Sequence, residues 1–275
     1  MKLISINNFR KRDCQKALLS HKLRIENRKK FGRVTRTVPK QRVNKSVLGA
    51  LERPALGYLA RQMPSWVQPD QLTILALSGA VTAAAGYIAS RWSLEWLWLA
   101  SLGLILHWAG DSLDGTLARV RNIQRPRYGF FVDHTADLFA QSLIFLALGL
   151  SPCARFAIAC LGLIAFLMVF VYSLICVEVS GAMRITYFGF GPTEIRALLI
   201  IGNTITIWAG LFDVGRWLFP NAGFGPVTIY EVAIVVLFAI SVPALALLAL
   251  HDRRGLICGD PPRAQAPQSA VAPEA

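Results

Sequence analysis

Long runs of apolar residues recur along the chain from residue 72 onward, and polar residues interrupt them mainly near their ends. Windows of about 20 residues, the length that crosses a hydrocarbon core as a helix, fit six of these runs. They cover residues 72–90, 94–114, 130–150, 156–177, 195–212 and 227–250. The pattern therefore predicts an all-α, polytopic membrane protein with six transmembrane helices.

Residues 44–66 follow a different period. With charged residues between them, apolar residues recur there at three- and four-residue spacing, at Val47, Leu48, Leu51, Ala55, Leu59 and Met63. This spacing predicts an amphipathic helix that lies in the membrane interface before the first span. Pro54 is the position where such a helix would kink or end.

Composition places the chain in the same class. Of its 275 residues, 54% are hydrophobic and 16% are charged, and the mean hydropathy is +0.46. Soluble domains carry about 25% charged residues, so this chain lies outside their usual range. We find no Cys or His cluster with metal spacing, no Gly-rich nucleotide loop and no Ser/His/Asp arrangement in the sequence.

Positive charge is concentrated at the amino-terminal end. Fifteen of the 29 Lys and Arg residues precede residue 46, and no lysine follows Lys45. Because aromatic residues are not interleaved with these charges, the net charge of +13 favours anionic lipid headgroups over nucleic acid as the partner. We expect residues 1–45 to form a basic, partly disordered arm, residues 46–255 the membrane domain, and residues 256–275 a disordered tail.

The arginines between the predicted spans indicate orientation. With a cytoplasmic arm and six spans, most of them fall on the cytoplasmic side, and three fall on the other side, Arg91, Arg155 and Arg216. The positive-inside rule then places both termini in the cytoplasm. We expect an integral protein of the bacterial inner (cytoplasmic) membrane.

Four carboxylates lie at the ends of the second and third predicted spans. At 100° per residue, one face of the second helix carries Asp111, Asp114, Gly115 and Ala118. On the next helix, Gly129, Asp133 and Asp137 repeat at every fourth position and share one face. A carboxylate at the centre of a spanning helix costs on the order of 3 kcal/mol, so a cluster of four indicates a functional site.

The residue types in this stretch suit phosphoryl chemistry. Oxygen-only ligands favour hard divalent cations such as Mg²⁺ or Mn²⁺. Two such ions held by shared carboxylates would clamp the attacking and leaving oxygens of a phosphoryl displacement. Gly115 and Ala118 lack bulk and would let a nucleotide approach the backbone, and Arg119 can pair with phosphate oxygens.

Eight residues over 27 positions resemble, in order and spacing, the DGxxAR-type motif of the CDP-alcohol phosphotransferase (CDP-alcohol phosphatidyltransferase) family of integral membrane enzymes. They are Asp111, Asp114, Gly115, Ala118, Arg119, Gly129, Asp133 and Asp137. The resemblance implies a six-helix membrane fold, usually assembled as a homodimer, and an enzyme of phospholipid biosynthesis. It further implies that a hydroxyl attacks the β-phosphate of a CDP-linked donor and CMP leaves, one of the two substrates being a lipid. The ligands of the two divalent ions would be Asp111, Asp114, Asp133 and Asp137.

The same resemblance makes Asp137 the candidate general base. His134 competes for this role, because the family branch that makes phosphatidylcholine and phosphatidylethanolamine has a similar Asp-His pair, and a neutral imidazole can take a proton near working pH. Family members often carry Pro-Asn-x-x-Thr beside the nucleotide. Here Pro69, Asp70 and Thr73 occupy that place, so Thr73 is expected to touch the nucleotide although Asp70 replaces the Asn.

Residues 189–196 read GFGPTEIR and precede the fifth span. Ordinary capping at Thr193 and dipole stabilisation by Glu194 would explain them. Alternatively, Glu194 and Arg196 face the metal site and contact the second substrate. A phosphorylated acceptor, with CDP-diacylglycerol as donor, would want several cations beside the site, and Arg184 and Arg196 could serve. The Asp-His pair instead favours diacylglycerol as the acceptor.

A transporter that uses the acids as an ion pathway is the alternative from another class. It predicts carboxylates spread across the depth of the bilayer and discontinuous helices in two repeated halves. Here the acids cluster at one face and no half-repeat is visible, so the sequence favours the enzyme.

Overall fold

The computed structural model describes residues 41–43, 47–180, 182–184, 192–211, 213–214 and 226–259. Most of the predicted basic arm and the tail from residue 260 onward lie outside these residues. The chain divides into two units. Residues 39–242 form the unit that holds the acidic motif, and the described part of the other unit is the last part of the final helix, residues 243–259.

Helices dominate the described chain. They are α1 (Val47–Gln62), α2 (Pro69–Ala89), α3 (Leu97–Val120), α4 (Pro126–Gly149), α5 (Phe156–Ser180), α6 (Pro192–Ala209) and α7 (Ile229–Gly259). A single 3₁₀ turn, Leu94–Trp96, precedes α3. Two three-residue strands, β1 (Gln41–Val43) and β2 (Ala182–Arg184), pair in parallel with Gln41 opposite Ala182. The all-α prediction is confirmed for this part of the chain.

Each of the six predicted spans coincides with a helix, from α2 to α7. Four of these helices, α2, α4, α5 and α7, are long and apolar enough to cross a membrane. The carboxylates Asp111 and Asp114 lower the hydropathy of α3, and Glu194 and Arg196 lie in the first turns of α6. The protein is therefore a helical membrane protein, and the count of six spans stays a prediction.

α2 and α3 pack with their backbones in contact. A Cβ atom added at Gly79 would lie 2.4 Å from the backbone nitrogen of His107, and one added at Gly103 would lie 2.2 Å from that of Ala83. No side chain fits into these gaps. Small residues at such interfaces let membrane helices approach closely, so glycine sets the distance between the helix that ends at the acidic motif and its neighbour.

Asn203 on α6 is fully buried and joins four helices. Its Oδ1 accepts hydrogen bonds from Tyr230 on α7 at 2.9 Å and from Tyr87 on α2 at 3.3 Å. Its Nδ2 donates to Ser101 on α3 at 3.0 Å. Because unpaired polar groups are costly in an apolar bundle, this network fixes the rotation of α6 about its axis. Arg196 lies seven residues earlier and therefore on the same face of α6.

α1 packs on the ends of α2 and α3. Leu56 and Ala60 are buried against apolar side chains of those helices. Leu59, on the apolar face that the spacing indicated, is 47% exposed and does not belong to this packed face. Pro54 lies inside α1 without ending it. The position of α1 in the membrane interface stays a prediction.

We expect Gly103→Ala to destabilise the protein by about 1–3 kcal/mol, because the new methyl group would overlap the backbone of α2 and push the helices apart. Gly57→Ala on α1 is the matched control, since nothing lies within 4 Å of a Cβ added there. That control should unfold at the same temperature as the wild type or higher, because alanine favours helix. Thermal unfolding in detergent measures both, and equal midpoints for the two variants would contradict the close packing.

Candidate active site

Three of the predicted ligands converge where α3 and α4 both pack on α2. Asp111 on α3 and Asp133 and Asp137 on α4 each offer a carboxylate oxygen, and these oxygens lie within 4.8 Å of one another. Their side chains are 23%, 22% and 29% exposed, respectively. The cluster is therefore accessible from outside the bundle.

Asp114 is not among the three residues that meet within this distance. Its Oδ2 accepts a hydrogen bond from the Thr73 hydroxyl on α2 at 2.8 Å, and its Oδ1 accepts one from the backbone nitrogen of Gly115. Thr73 is only 8% exposed. The first turn of α2 thus orients Asp114, which places Thr73 beside the acidic motif.

Arg196 on α6 supplies a buried positive charge to the cluster, being only 4% exposed. Its Nη1 donates to Asp111 Oδ2 at 2.8 Å, and its Nη2 lies 3.9 Å from Asp137 Oδ1. Its Nε is buried and has no hydrogen-bond partner within the part of the chain that is described. The guanidinium therefore contacts two of the three clustered carboxylates.

His107, one turn before Asp111, is the second partner of Arg196. Its Nδ1 lies 3.1 Å from the carbonyl oxygen of Ala76, and its Nε2 lies 3.0 Å from Arg196 Nη2. A carbonyl only accepts and a guanidinium only donates, so Nδ1 carries the proton and the imidazole is neutral. Gln141 Nε2 is also 3.5 Å from His107 Nε2. His107 thus orients Arg196 through its Nε2 atom.

The helix surfaces beside the cluster are open. A Cβ added at Gly115 would meet only the flexible Arg119 side chain, at 3.3 Å, and one added at Gly129 would meet nothing within 4 Å. Ala118 is half-buried, and Arg119 is exposed with its Nη2 donating to the Thr116 hydroxyl at 2.9 Å. The motif glycines therefore leave room for a ligand against the backbone of both helices.

His134 points into an aromatic environment on α4. Its Nδ1 lies 2.8 Å from the carbonyl oxygen of Phe130 and 3.7 Å from Asp133 Oδ2. Its ring centroid lies 4.0 Å from that of Phe130 and 5.8 Å from that of Phe170 on α5. The Nδ1 atom of His134 is therefore engaged by the backbone carbonyl of Phe130.

Glu194 is 8% exposed in the first turn of α6 and is not among the clustered carboxylates. Asp70, in the first turn of α2, accepts a hydrogen bond from the Tyr128 hydroxyl at 3.2 Å. Arg125 lies over the Tyr128 ring, 5.5 Å from its centroid. The acid that stands where the family often carries Asn thus connects the starts of α2 and α4.

Sequence reasoning missed a second set of polar contacts beside the site, centred on Glu52 of α1. Its Oε1 accepts hydrogen bonds from Trp108 Nε1 at 2.7 Å and from the Ser112 hydroxyl at 2.8 Å. Its Oε2 accepts a longer one from the Thr193 hydroxyl at 3.4 Å. The 3.6-residue period could have paired Trp108 with Ser112, but only the tertiary structure brings Glu52 to them.

The clustered residues fit a hard divalent cation. Asp111, Asp133 and Asp137 present only oxygen donors, which Mg²⁺ and Mn²⁺ prefer, and all three remain accessible. Carboxylates this close repel one another, so a bound cation would stabilise their arrangement. Asp114, whose two oxygens hold protein donors, would need to share or exchange these bonds to serve as a fourth ligand.

Comparison with known proteins places this site in a family. A sequence model described as CDP-alcohol phosphatidyltransferase matches residues 66–227, which is more than half of the chain. The matched segment includes the acidic motif together with α2 to α6. The chain therefore belongs to the CDP-alcohol phosphatidyltransferase family, and the resemblance read from the motif is confirmed.

Individual relatives match over shorter stretches. Cholinephosphotransferase 1 of Danio rerio is 29% identical over 171 residues, which cover 56% of this chain and 42% of that protein. An uncharacterized protein of Aquifex aeolicus is 48% identical over 56 residues, 20% of this chain and 28% of that one. This chain thus spans less than half the length of these relatives.

Among solved structures, similarity was found to that of Mycobacterium tuberculosis phosphatidylinositol phosphate synthase (PgsA1) with CDP-DAG bound. The TM-score is 0.48 at 22% sequence identity. The match covers 74% of this chain and 92% of that one.

Arg196→Leu should destabilise the metal-free protein by about 3 kcal/mol, because it leaves Asp111 without its buried partner. Mn²⁺ should recover more stability in this variant than in the wild type, since a bound cation would replace the lost charge. The matched control is Arg155→Leu, which breaks the Arg155–Glu231 pair, 2.8 Å long, away from the acidic cluster.

Thermal unfolding with and without Mn²⁺ measures both effects. Mn²⁺ should raise the midpoint of Arg155→Leu by no more than it raises that of the wild type. A Mn²⁺-induced shift in Arg196→Leu no larger than in this control would show that Arg196 does not offset the charge of a cation site.

Proposed function

We propose that the protein is a membrane enzyme that transfers a substituted phosphoryl group from a CDP-alcohol to a hydroxyl acceptor, releasing CMP, in phospholipid biosynthesis. The observation that carries the proposal is the convergence of Asp111, Asp133 and Asp137 within 4.8 Å beside two open glycine surfaces. Family membership supports the reaction class. A transporter would not need carboxylates gathered at one point.

The acidic motif holds two divalent cations, Mg²⁺ or Mn²⁺, in this proposal. Their ligands are Asp111, Asp114, Asp133 and Asp137. When bound, the cations neutralise the charge of the pyrophosphate and of the departing CMP. The protein's own contribution is to hold the carboxylates in place, through Thr73 for Asp114 and through Arg196 for Asp111.

The nucleotide lies against the α3 and α4 surfaces that Gly115 and Gly129 leave open. Ala118 keeps the next turn of α3 small. Arg119, exposed at the rim, pairs with phosphate oxygens of the donor. Thr73 lines the same pocket from α2, and Glu194 approaches it from the start of α6.

Asp137 is the general base that takes the proton of the attacking hydroxyl, with His134 as the alternative. Asp137 is 29% exposed and lies in the cluster itself. The Nδ1 of His134 is engaged by the Phe130 carbonyl, and its ring packs against aromatic side chains. These surroundings favour Asp137 over the buried imidazole as the proton acceptor.

The acceptor is a neutral lipid hydroxyl such as that of diacylglycerol, and the polar alcohol arrives on CDP. Arg196, the buried cation at the cluster, already bonds to Asp111 and His107, which favours an acceptor without a phosphate. The similarity to a protein named cholinephosphotransferase agrees with this direction. The opposite direction, from CDP-diacylglycerol to a polar alcohol, is the competing outcome of the test below.

The membrane arrangement completes the proposal. Helices α2 to α7 make six spans, α1 lies in the interface, and residues 46–255 form the catalytic domain of a homodimer. Both termini and the site face the cytoplasm of a bacterial inner membrane, where the basic residues 1–45 contact anionic lipid. Residues 256–275 follow the domain as a tail.

The central prediction is metal-dependent CMP release. Purified protein with Mg²⁺ or Mn²⁺ should release CMP when CDP-choline or CDP-ethanolamine is paired with diacylglycerol. Asp133→Asn should abolish release by removing a carboxylate from the cluster, whereas Glu95→Gln, an exposed acid beyond the other end of α3, should keep it. CMP is quantified by chromatography, and chelation should stop the reaction.

Release only with CDP-diacylglycerol and a polar alcohol would keep the enzyme class and reverse the substrates. If no pairing releases CMP and no metal-dependent nucleotide binding is found, the proposed enzymatic activity is contradicted and the transporter is favoured.

A second prediction separates the two candidate bases. His134→Phe keeps an aromatic ring in the tilted contact with Phe130 and should retain most of the CMP release, because Asp137 accepts the proton. Asp137→Asn should lower release by about 10²-fold or more, the usual contribution of a base. Initial rates at saturating Mn²⁺ are compared for variants with equal unfolding midpoints. The reverse ranking of the two variants would assign the proton transfer to His134.

A further inference from the structure

Glu52 lies outside the segment that the family model matches, yet it contacts α3, which carries Asp111, and α6, which carries Arg196. Two of its hydrogen bonds reach α3, to Trp108 at 2.7 Å and Ser112 at 2.8 Å. The third, at 3.4 Å, reaches Thr193 in the first turn of α6. One carboxylate on α1 therefore joins two helices that come from distant parts of the sequence.

The three donors of Glu52 parallel the contacts of Arg196. Trp108 follows His107 along α3, and Ser112 follows Asp111. Arg196 bonds His107 at 3.0 Å and Asp111 at 2.8 Å. On α6, Thr193 lies one turn before Arg196. Glu52 thus accepts hydrogen bonds from the residues that follow both partners of Arg196 on α3, and from a residue one turn before Arg196 on α6.

The chemistry of these bonds makes them a firm connection. A carboxylate that accepts from neutral donors forms charge-assisted hydrogen bonds, which are stronger than neutral ones. Within the described residues no Lys or Arg forms an ion pair with Glu52, so the hydroxyl and indole donors are the groups that satisfy it. Losing them would leave a half-buried charge unsatisfied.

The segment that follows α1 is held by a residue directly after α3. There the Arg121 guanidinium donates to four backbone carbonyls between α1 and α2, those of Met63, Pro64, Ser65 and Val67. Because α1 is attached there, Glu52 cannot follow α6 freely. The hydrogen bonds of Glu52 to α3 and α6 can therefore constrain the separation of these two helices.

We propose that Glu52 is a positioning residue for the transfer reaction. Its carboxylate holds α3 and α6 at the separation that keeps Arg196 on Asp111 and His107, and it thereby orients Asp111 within the acidic cluster. The inference rests on the proposed function for its effect on catalysis. Its effect on cation binding depends only on the arrangement of the carboxylates.

The test compares Glu52→Leu, Glu52→Gln and the matched control Glu95→Leu in the full-length protein. Glu52→Leu removes all three acceptor bonds and should lower kcat and weaken Mn²⁺ binding by about tenfold each, as losses of supporting groups at metal sites do. KM for the CDP donor should change less than kcat. Glu52→Gln keeps an oxygen for Trp108 and Ser112 and should recover most of both losses.

Thr193→Val covers the case in which Glu52→Leu does not fold. The substitution is nearly isosteric and cuts only the bond to α6, so the unfolding midpoint should stay close to that of the wild type while kcat and Mn²⁺ affinity fall. A purely structural role for Glu52 predicts the opposite, a lower midpoint in Glu52→Leu with unchanged kcat and Mn²⁺ affinity in the folded fraction.

Mn²⁺ binding is measured directly, from the free-ion electron paramagnetic resonance signal, and CMP release separately. Wild-type Mn²⁺ affinity and kcat in folded Glu52→Leu and Thr193→Val would overturn the proposal, as would equal losses in Glu52→Gln and Glu52→Leu. If the wild type binds Mn²⁺ but releases no CMP in any pairing, the proposed reaction fails, and the Mn²⁺ affinities of the variants still decide the role of Glu52.

Discussion

The contact between Arg196 and Asp111 is the interaction on which the site depends. Three carboxylates meet at the acidic ends of α3 and α4, and their mutual repulsion in an apolar bundle must be offset. A guanidinium that is 4% exposed supplies part of that charge, and His107 fixes its orientation. Arg196 therefore faces the acidic cluster, and its expected contact with a substrate stays a prediction.

The rest of the bundle keeps this contact in place. Gly79 and Gly103 let α2 and α3 touch through their backbones, so Thr73 on α2 reaches Asp114 on α3. Two turns after Arg196, Asn203 fixes the rotation of α6 against three other helices. The glycine contacts and the Asn203 network are the kinds of interaction that hold membrane helices together, close packing and interhelical hydrogen bonds. Apolar burial alone gives little specificity in lipid.

The contacts of α1 connect a residue outside the family's matched segment to the helices that carry Asp111 and Arg196. Glu52 and Arg121 connect α1 to α3 by charge-assisted bonds at two points. The amphipathic pattern indicated a helix in this region, with Leu59 on a face expected to lie in the membrane interface. The structure leaves Leu59 47% exposed and buries Leu56 and Ala60 against α2 and α3. Periodicity locates an apolar face, whereas tertiary structure decides which residues of the helix pack against its neighbours.

The sequence by itself determined the six helical segments and the identity of the acidic motif. Apolar runs of span length can satisfy their backbone hydrogen bonds in lipid only as helices or closed barrels, and carboxylates in such runs are rare enough to be informative. Tertiary structure alone decided which carboxylates meet, that Thr73 bonds Asp114, and that Arg196, His107 and Glu52 connect α3 to α6. The hydrogen bonds of Thr73, Arg196 and Glu52 named here join residues 41 to 141 positions apart, and local periodicity carries no information about such pairs.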